Sequence, residues 1–207
     1  MFEYSIGDIT KTDIEIFKAS FYHMIDERKE KILRLKSTKQ QKLSLLGEWL
    51  AKSLISKKIG VDVEKIVFQR DENGKPFCPE FPNIFFNISH SEDMAIAVIS
   101  DNLIGVDIEK LRAVSLKVAR RACTEDELIY VFNHIPTEND YEIPYPHPVY
   151  ERFWEIWTAK EAYFKCIGTG ITNLKKINTL TLKNKEKLII DDYIIHLINI
   201  MRLPENE

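Results

Sequence analysis

The chain has 207 residues, of which 44% are hydrophobic and 29% charged, enough to bury one large core or two small ones. Its net charge of −3 indicates neither a nucleic-acid nor a membrane partner. Three widely spaced cysteines form no CxxC pair, which argues against a disulfide framework or a zinc site and fits a reducing compartment. Without a visible secretory signal or bilayer-length apolar span, we expect a soluble, cytoplasmic protein.

The first predicted elements lie between residues 26 and 100. Leucines spaced by three or four predict one helix over residues 26–59, ended by Gly60. A strand is then predicted over 66–69, and the DENG sequence at 71–74 predicts a turn. Residues 84–100, IFFNISHSEDMAIAVIS, are typical of a strand, a polar turn and a second strand.

The remaining predicted elements alternate irregularly between helix and strand. LIGVDIE at 103–109 predicts a strand, residues 115–132 a helix, and the proline-rich stretch 133–150 a loop. Residues 151–168 predict a helix closed by Gly168, and short strands follow from about residue 177. Because no steady βαβ rhythm is present, the pattern favours an α+β fold over a doubly wound sheet.

Two acids stand on one face of the predicted strand 103–109. Successive side chains of a strand point to opposite faces, so Asp107 and Glu109 share a face while Val106 and Ile108 pack the other way. Neighbouring carboxylates repel each other, and Mg²⁺ removes that repulsion while it also binds phosphate oxygens. The alternative is an ordinary strand with its polar face in water.

The helix predicted over 151–168 carries a second acid beside aromatic side chains. Trp157, Glu161, Phe164 and Lys165 fall on one helical face. A carboxylate on an aromatic face is partly desolvated and requires a cation. The alternative is a routine pair of Glu161 with Lys165 one turn away, beside core aromatics.

Polar side chains elsewhere allow both functional and structural interpretations. Ser89 and His90 lie in FNISHS, where a histidine can bind phosphate or simply cap a turn. Lys75 in NGKP belongs to a phosphate site or to the solvated rim of a turn. Arg28 and Lys31 lie in a basic helical stretch that is ordinarily a solvated face.

The order of these motifs along the chain is more specific than any one of them. The series NGKP, FNISHS, GVDIE and FWEIWTAKEAYFKCIGTG resembles the broad-specificity, single-chain 4′-phosphopantetheinyl transferases that serve peptide and polyketide synthetases. That family joins a G(I/V)D(I/V)E strand to a downstream WxxKEAxxK helix. The GEWLAKSLI helix also resembles the family, so the likeness extends over residues 26–175.

The resemblance implies two similar α+β halves related by a pseudo-twofold axis, with the active site in the cleft between them. The expected domains are residues 1–102, which contact coenzyme A, and residues 103–207, which carry the metal-binding acids. The implied reaction transfers phosphopantetheine from coenzyme A to a serine of an apo acyl or peptidyl carrier protein and releases adenosine 3′,5′-bisphosphate. A monomer is expected, since one chain supplies both halves.

The resemblance also implies a role for each matching residue. The metal-binding acids would be Asp107, Glu109 and Glu161, and they would hold Mg²⁺ against the diphosphate. The groups that bind coenzyme A would be Arg28, Lys31, Lys75, Ser89, His90, Lys160 and Lys165. Catalysis would use Lys165 together with Glu127 or Glu161 as the acceptor of the serine proton.

Two departures from the family pattern bear on this interpretation. The loop 133–150 is longer than usual in a region near carrier docking, which predicts an altered partner preference. The chain also ends before the family's final strand, which predicts a trimmed second sheet. Two other functions remain open: a coenzyme-A- or carrier-binding module without turnover, and another metal-dependent phosphate enzyme such as a phosphatase or nuclease.

Overall fold

The computed structural model describes residues 1–142, 144–170 and 173–201, in which two three-stranded antiparallel sheets each pack against one long helix. The first sheet has the order β1 (Phe2–Asp8), β5 (Met94–Ser100), β4 (Phe85–Ser91). The helices α1 (Ile14–Tyr22), α2 (Asp26–Leu33) and α3 (Thr38–Ile59) lie between β1 and β4 in sequence. The buried face of α3 covers this sheet, as the alternating apolar residues of β4 and β5 require.

The prediction of a single helix over residues 26–59 is wrong in one respect: the structure has two helices there, α2 and α3. Ser37 takes extended dihedral angles (φ −118°, ψ 130°) as the N-cap of α3. The Ser37 side chain forms no capping hydrogen bond, and α2 has already ended at Leu33, so the extended backbone at Ser37 separates the two helices although the leucine spacing continues. The predicted end at Gly60 is confirmed, with a left-handed φ of 71°.

A short hairpin follows α3 and carries the NGKP sequence. Its strands are β2 (Gln69–Arg70) and β3 (Pro76–Phe77), so the strand predicted over 66–69 is present only at its last residue. Ile66 is instead fully buried beneath α3. The predicted turn is confirmed: Asp71 Oδ1 accepts hydrogen bonds from the backbone N–H groups of Asn73 and Lys75, and Gly74 has a φ of 80°.

The second half repeats the strand order of the first. Its sheet has the order β6 (Leu103–Lys110), β8 (Tyr193–Ile200), β7 (Lys185–Ile190), and the long helix α6 (Pro148–Ile167) again lies between the first two strands in sequence. The predicted strands at 84–100, at 103–109 and in the tail are confirmed, as is the predicted helix at 151–168. Among the described residues the second sheet has as many strands as the first, and residues 202–207 lie outside them.

The helix predicted over 115–132 is likewise divided, into α4 (Leu116–Ala122) and α5 (Glu125–Phe132). Cys123 ends the first, and Thr124 begins the second, where its side chain and that of Glu127 form a reciprocal capping box. The predicted loop 133–150 contains a short 3-10 helix (Glu138–Glu142), and α6 begins inside it at Pro148. Three further 3-10 turns are described, at Val63–Lys65, Leu174–Lys176 and Thr179–Thr181.

Strands β4 and β6 join the two sheets. The apolar side chains of β5 and β6 meet in one core, which includes Ile96, Val98, Val106 and Ile108. On the other face of β6, Gly105 lets α6 approach closely, since a Cβ there would lie 2.0 Å from the carbonyl oxygen of Ala162. No helix within the described ranges is long and apolar enough to span a bilayer.

Candidate active site

A ladder of side-chain hydrogen bonds fixes the strand that carries the two acids. Asn87, Ser89 and Ser91 alternate along β4, and their side-chain oxygens accept hydrogen bonds from three backbone N–H groups of β6. The donors are Val106, Ile108 and Lys110, at distances of 3.0, 3.4 and 3.2 Å. The motif FNISHS therefore positions GVDIE, because both follow the two-residue period of a strand.

Asp107 lies at the centre of the site. Its carboxyl oxygen Oδ1 accepts hydrogen bonds from Lys165 Nζ at 2.6 Å and from Ser89 Oγ at 2.8 Å. Lys165 Nζ also donates to Ser89 Oγ at 2.9 Å, which closes a triangle of three predicted site residues. Burial raises the pKa of Asp107, and the ammonium group of Lys165 opposes that shift. The second oxygen, Oδ2, is buried without a hydrogen-bond partner.

Glu161 lies one helical turn before Lys165 and is only 9% exposed. Burial and, to a smaller extent, the charge of Asp107 raise the pKa of its carboxyl to about 7. Within the described part of the chain, the Glu161 side chain forms neither a hydrogen bond nor an ion pair. The charges of Asp107 and Glu161 are therefore balanced by one lysine.

Glu109, the third acid predicted to bind a metal ion, forms hydrogen bonds with other side chains. Glu109 Oε2 accepts hydrogen bonds from Ser91 Oγ at 2.7 Å and from Arg112 Nη1 at 3.0 Å. In this arrangement the described residues contain no group of three His, Cys, Asp or Glu side chains that could hold a metal ion. The unpartnered oxygen of Asp107 and the uncompensated carboxyl of Glu161 nevertheless fit a hard divalent cation, which binds carboxylate oxygens.

His90 has an exposed side chain at the end of β4. Partial desolvation by neighbouring residues lowers the pKa of its imidazole, and the positive charges of Lys165 and Arg28 lower it further. Glu109 acts in the opposite direction. Because two cations on different elements act on this imidazole, His90 lies in a region of positive potential that would attract an anion.

A cavity of about 290 Å³ contains the predicted basic residues Arg28 and Lys31. Arg28 Nε lies 3.2 Å from Glu48 Oε2, and Lys31 Nζ lies 2.6 Å from Glu27 Oε1. Arg70 lines the same cavity and was not predicted, because a two-residue strand carries no periodic signal. Glu48 was also missed, although an acid within the apolar sequence LLGEWL is a signal that could have indicated it.

A second cavity, of about 240 Å³, adjoins the first. It is lined by residues that include Lys75, Asn87, Glu161 and Lys165, and it shares Pro76 and Ile88 with the basic cavity. Lys75 Nζ donates to the carbonyl oxygen of Cys166 at 2.8 Å, near the C-terminal end of α6, where the helix dipole favours a cation. The two cavities share part of their walls, and we call them together the cleft: basic residues line one part, and Lys165 and Glu161 line the other.

The structure argues against the roles predicted for Glu127 and Lys160. Both side chains have zero exposure, and Lys160 Nζ lies 2.7 Å from Glu127 Oε2. Lys160 also donates to the carbonyl oxygens of Leu174 and Ile177, while Glu127 accepts from Thr124 N, Thr179 N and Thr179 Oγ1. Every hydrogen-bonding position is used inside the protein, so neither group can contact coenzyme A or a carrier serine in this conformation.

Comparison with known proteins gave two family models that match successive parts of the chain. Residues 103–196 match the model of the 4′-phosphopantetheinyl transferase superfamily, and residues 12–102 match that of a 4′-phosphopantetheinyl transferase N-terminal region. The 4′-phosphopantetheinyl transferase gsp of Aneurinibacillus migulanus is 31% identical over 159 residues, which cover 77% of this chain and 62% of that protein.

Two other similar proteins are also named as phosphopantetheinyl transferases. The 4′-phosphopantetheinyl transferase Sfp of Bacillus subtilis (strain 168) is 32% identical over 146 residues, which cover 70% of this chain and 61% of that protein. The L-aminoadipate-semialdehyde dehydrogenase-phosphopantetheinyl transferase of Xenopus laevis is 29% identical over 165 residues, 73% of this chain and 52% of that protein. The chain therefore spans less than two thirds of the length of these relatives.

Proposed function

We propose that this chain, which belongs to the 4′-phosphopantetheinyl transferase superfamily, transfers the 4′-phosphopantetheine group of coenzyme A to a serine of an apo acyl or peptidyl carrier protein. In this reaction the serine oxygen forms a bond to the phosphorus of the phosphopantetheine group. The bond from that phosphorus to the leaving oxygen breaks, and adenosine 3′,5′-bisphosphate departs with the electron pair.

The shared walls of the two cavities are the observation that carries this proposal. A molecule with a phosphorylated nucleotide at one end and a diphosphate in its middle matches a cleft with basic residues at one end and a lysine–carboxylate centre at the other. Pro76 and Ile88 line both cavities, so one extended ligand can occupy them together. In this proposal the nucleotide lies near Arg28 and Lys31, and the diphosphate lies near Lys165.

The residues around Asp107 would orient the diphosphate. The side chain of Lys165 is long and flexible. Its ammonium group can therefore replace its contact with Asp107 by a contact with a phosphate oxygen while it stays in the cleft. Ser89 and His90 would contribute hydrogen bonds from β4, and Lys75 from the turn before β3. Positioned cations stabilise the negative charge that develops on the leaving group.

A magnesium ion fits the acids of this site. Asp107 and Glu161 would hold it through the oxygens that have no protein partner, and Glu109 would join them if it released Arg112 or Ser91. When bound, Mg²⁺ neutralises the charge of the diphosphate.

Glu161 is the better of the two predicted acceptors for the serine proton. Without a bound cation, its pKa of about 7 is close to the value at which a general base both ionises and accepts a proton near neutral pH. Glu127 is fully buried and paired with Lys160, so we no longer propose it as the base.

The remaining parts of the proposal concern architecture and partners. The repeated strand order supports two halves, residues 1–102 and 103–207, related by a pseudo-twofold axis. Such a chain would act as a monomer in the cytoplasm, with coenzyme A and a carrier protein as partners and without nucleic acid or a membrane. The loop 133–150 would contribute to the preference for a particular carrier.

One experiment distinguishes this function from the two alternatives. The purified chain is incubated with Mg²⁺, coenzyme A and an apo carrier protein, and the carrier is then weighed by mass spectrometry. We expect the carrier to gain one phosphopantetheinyl group, and the Asp107→Asn variant to add little or none. Binding of coenzyme A without any gain across a panel of carriers would instead indicate a binding module. Hydrolysis of phosphate esters without transfer would indicate the other enzyme class.

A further inference from the structure

Asp107 and Glu109 are held in the same way by the strand beside them. Ser89 Oγ donates to Asp107 at 2.8 Å, and Ser91 Oγ donates to Glu109 at 2.7 Å. Each serine also accepts a hydrogen bond from the backbone N–H of the residue that follows its acid. Because this bond occupies the acceptor side of the hydroxyl group, it directs the hydroxyl hydrogen towards the carboxylate. Both serines belong to β4, so this strand positions both acids.

Each acid also has one cationic partner, and these two partners differ. Lys165 Nζ lies 2.6 Å from Asp107 and lines the cleft together with Glu161. Glu109 Oε2 instead accepts a hydrogen bond at 3.0 Å from Nη1 of Arg112, two residues beyond the end of β6. With Glu109 in this pair, the part of the chain that the structure describes has no three acids grouped around one cation position, although Asp107 and Glu109 share a face of β6.

The guanidinium group of Arg112 has contacts that do not depend on Glu109. Its Nη1 donates to the carbonyl oxygen of Lys110 at 3.0 Å, and its central carbon lies 4.1 Å from the centre of the Trp154 ring. The indole N–H of Trp154 donates to the carbonyl oxygen of Arg112 at 2.8 Å, which fixes the backbone as well. A guanidinium group that stacks on an indole ring is stabilised by that contact alone. Arg112 can therefore release Glu109 and stay in place.

The ion pair between Arg112 and Glu109 is weak enough to be exchanged. The two side chains are 48% and 21% exposed, and water screens the attraction in a pair of this kind. Glu109 is also close enough to the other acids to act on them, since its charge raises the pKa of both Asp107 and Glu161. A divalent cation bound to those two carboxylates would attract Glu109 more strongly than a single positive charge that is half in water.

We propose that Arg112 is a positioning residue that keeps Glu109 apart from Asp107 and Glu161 in the metal-free chain, and that a divalent cation replaces Arg112 as the partner of Glu109. This inference rests on the proposed function, in which Mg²⁺ binds at Asp107 and Glu161. The site then gains its third carboxylate only when the metal arrives. Arg112 thereby lowers the affinity of the chain for Mg²⁺, because its ion pair with Glu109 must break when the metal binds.

The test measures Mg²⁺ affinity by calorimetry on the chain alone, without coenzyme A or a carrier protein. It is run at about 0.15 M salt, where exposed charges more than about 8 Å apart are largely screened. Arg112→Gln removes the charge that competes for Glu109, so we expect this variant to bind Mg²⁺ about 2- to 5-fold more tightly than the unmodified chain. A purely structural role for Arg112 predicts the opposite sign, because damage at the end of β6 would weaken the site.

Two further variants identify the cause of the gain. Arg112→Lys retains a cation near Glu109 and should bind Mg²⁺ nearly as the unmodified chain does. Lys110→Gln removes a positive charge at the end of the same strand, but Lys110 Nζ pairs with Asp192 at 3.3 Å, so the affinity should change less than about 2-fold. An unchanged or lower affinity in Arg112→Gln would overturn the proposal. An equal gain in Lys110→Gln would also overturn it, since that result would indicate a general effect of charge.

A parallel assay separates this inference from the proposed function. Carrier modification by the unmodified chain and by Arg112→Gln is measured by mass spectrometry with Mg²⁺ and coenzyme A. If Arg112→Gln binds Mg²⁺ more tightly but neither protein modifies a carrier, the proposed function fails and the inference stands. If carriers are modified but the two Mg²⁺ affinities are equal, the inference fails and the proposed function stands. Mg²⁺ binding to neither protein would overturn the inference, whatever the carriers show.

Discussion

The ammonium nitrogen of Lys165 lies 2.6 Å from Oδ1 of Asp107, while Oδ2 of the same carboxyl group is buried without a hydrogen-bond partner. One oxygen of this carboxyl group is thus paired with a cation, and the other has no hydrogen-bond partner. A buried, unsatisfied acceptor costs about 1–3 kcal/mol, and more when it is charged. Binding of a divalent cation would remove that cost.

Asp107→Asn should abolish most of the affinity for Mg²⁺. The amide keeps the size of the side chain and an oxygen for Lys165, but it loses the charge that holds a cation. We expect Mg²⁺ affinity in the presence of coenzyme A to fall at least about 10- to 100-fold, as measured by calorimetry. The matched control is Asp62→Asn, at an exposed acid that pairs with Lys65. Equal Mg²⁺ affinity in both variants would contradict the assignment of Asp107.

Glu161 should make the chain less stable as the pH rises towards neutrality. The pKa of its carboxyl is about 7 in the folded chain and near the ordinary value of 4.5 in the unfolded chain. Between these values the folded state holds more protons, so the free energy of unfolding falls as pH rises from about 4.5 to about 7 and then levels off. Removal of this carboxyl group should therefore make the free energy of unfolding depend less on pH over this range.

Urea denaturation without divalent cations can measure this effect. We expect Glu161→Gln to be more stable than the unmodified chain at pH 8 and equally stable well below pH 4.5, the unfolded-state value. Mg²⁺ should stabilise the unmodified chain at pH 8 more than the variant. Glu151→Gln removes an exposed acid from the same helix and should leave the profile as it is. A Glu161→Gln profile parallel to that of the unmodified chain would contradict the raised pKa.

The parts of the fold that the sequence predicted well depend on local periodicity. Strands β4, β5 and β6 and helix α6 have alternating or stripe patterns that survive in the folded chain. The breaks at Ser37 and Thr124 were missed because the apolar stripe continues across each of them. At Thr124 a capping box outweighs the stripe, whereas at Ser37 the backbone becomes extended without a capping hydrogen bond from the side chain.

The sequence predicted those residues of the site that lie on one helix or strand or within one motif. Glu161 and Lys165 are four residues apart on α6 and lie on one face, whereas Lys160 points away from them and is buried against Glu127. Helical geometry alone could have separated Lys160 from the other two. Arg70 and Glu48 reach the cleft only through tertiary packing, which no local pattern encodes.

Breaking the buried pair of Glu127 and Lys160 should affect stability rather than chemistry. An uncompensated buried charge costs about 3–5 kcal/mol, so Lys160→Met should lower the free energy of unfolding by that amount. Glu127→Gln should have a similar effect, and the double variant should lose less than the sum of the two. Urea denaturation measures all three.

An exposed ion pair provides the matched comparison. Replacing Glu138, the exposed acid that pairs with Arg120, should change the free energy of unfolding by less than about 1 kcal/mol. Carrier modification per folded molecule of Glu127→Gln should remain near that of the unmodified chain. A large fall in kcat with unchanged stability would restore Glu127 as the proton acceptor.

Gly105→Ala should disturb the site through the backbone of α6. The added Cβ would lie 2.0 Å from the carbonyl oxygen of Ala162 and 2.5 Å from the backbone nitrogen of Cys166, and neither atom can turn aside as a side chain can. Overpacking of a core costs about 1–3 kcal/mol even where side chains can adjust, so we expect a loss of at least about 3 kcal/mol in urea denaturation.

The control for Gly105→Ala is Gly60→Ala, where a Cβ meets nothing within 4 Å and only the φ of 71° opposes the change, at a cost of about 1–2 kcal/mol. The helix α6 carries both Glu161 and Lys165, so a shift of its backbone at Gly105 should also weaken Mg²⁺ binding in the molecules that remain folded. Gly60→Ala should leave Mg²⁺ binding unchanged, because Gly60 only ends α3. If Gly105→Ala were as stable as Gly60→Ala and bound Mg²⁺ normally, the close approach of α6 to β6 would not be what holds Lys165 against Asp107.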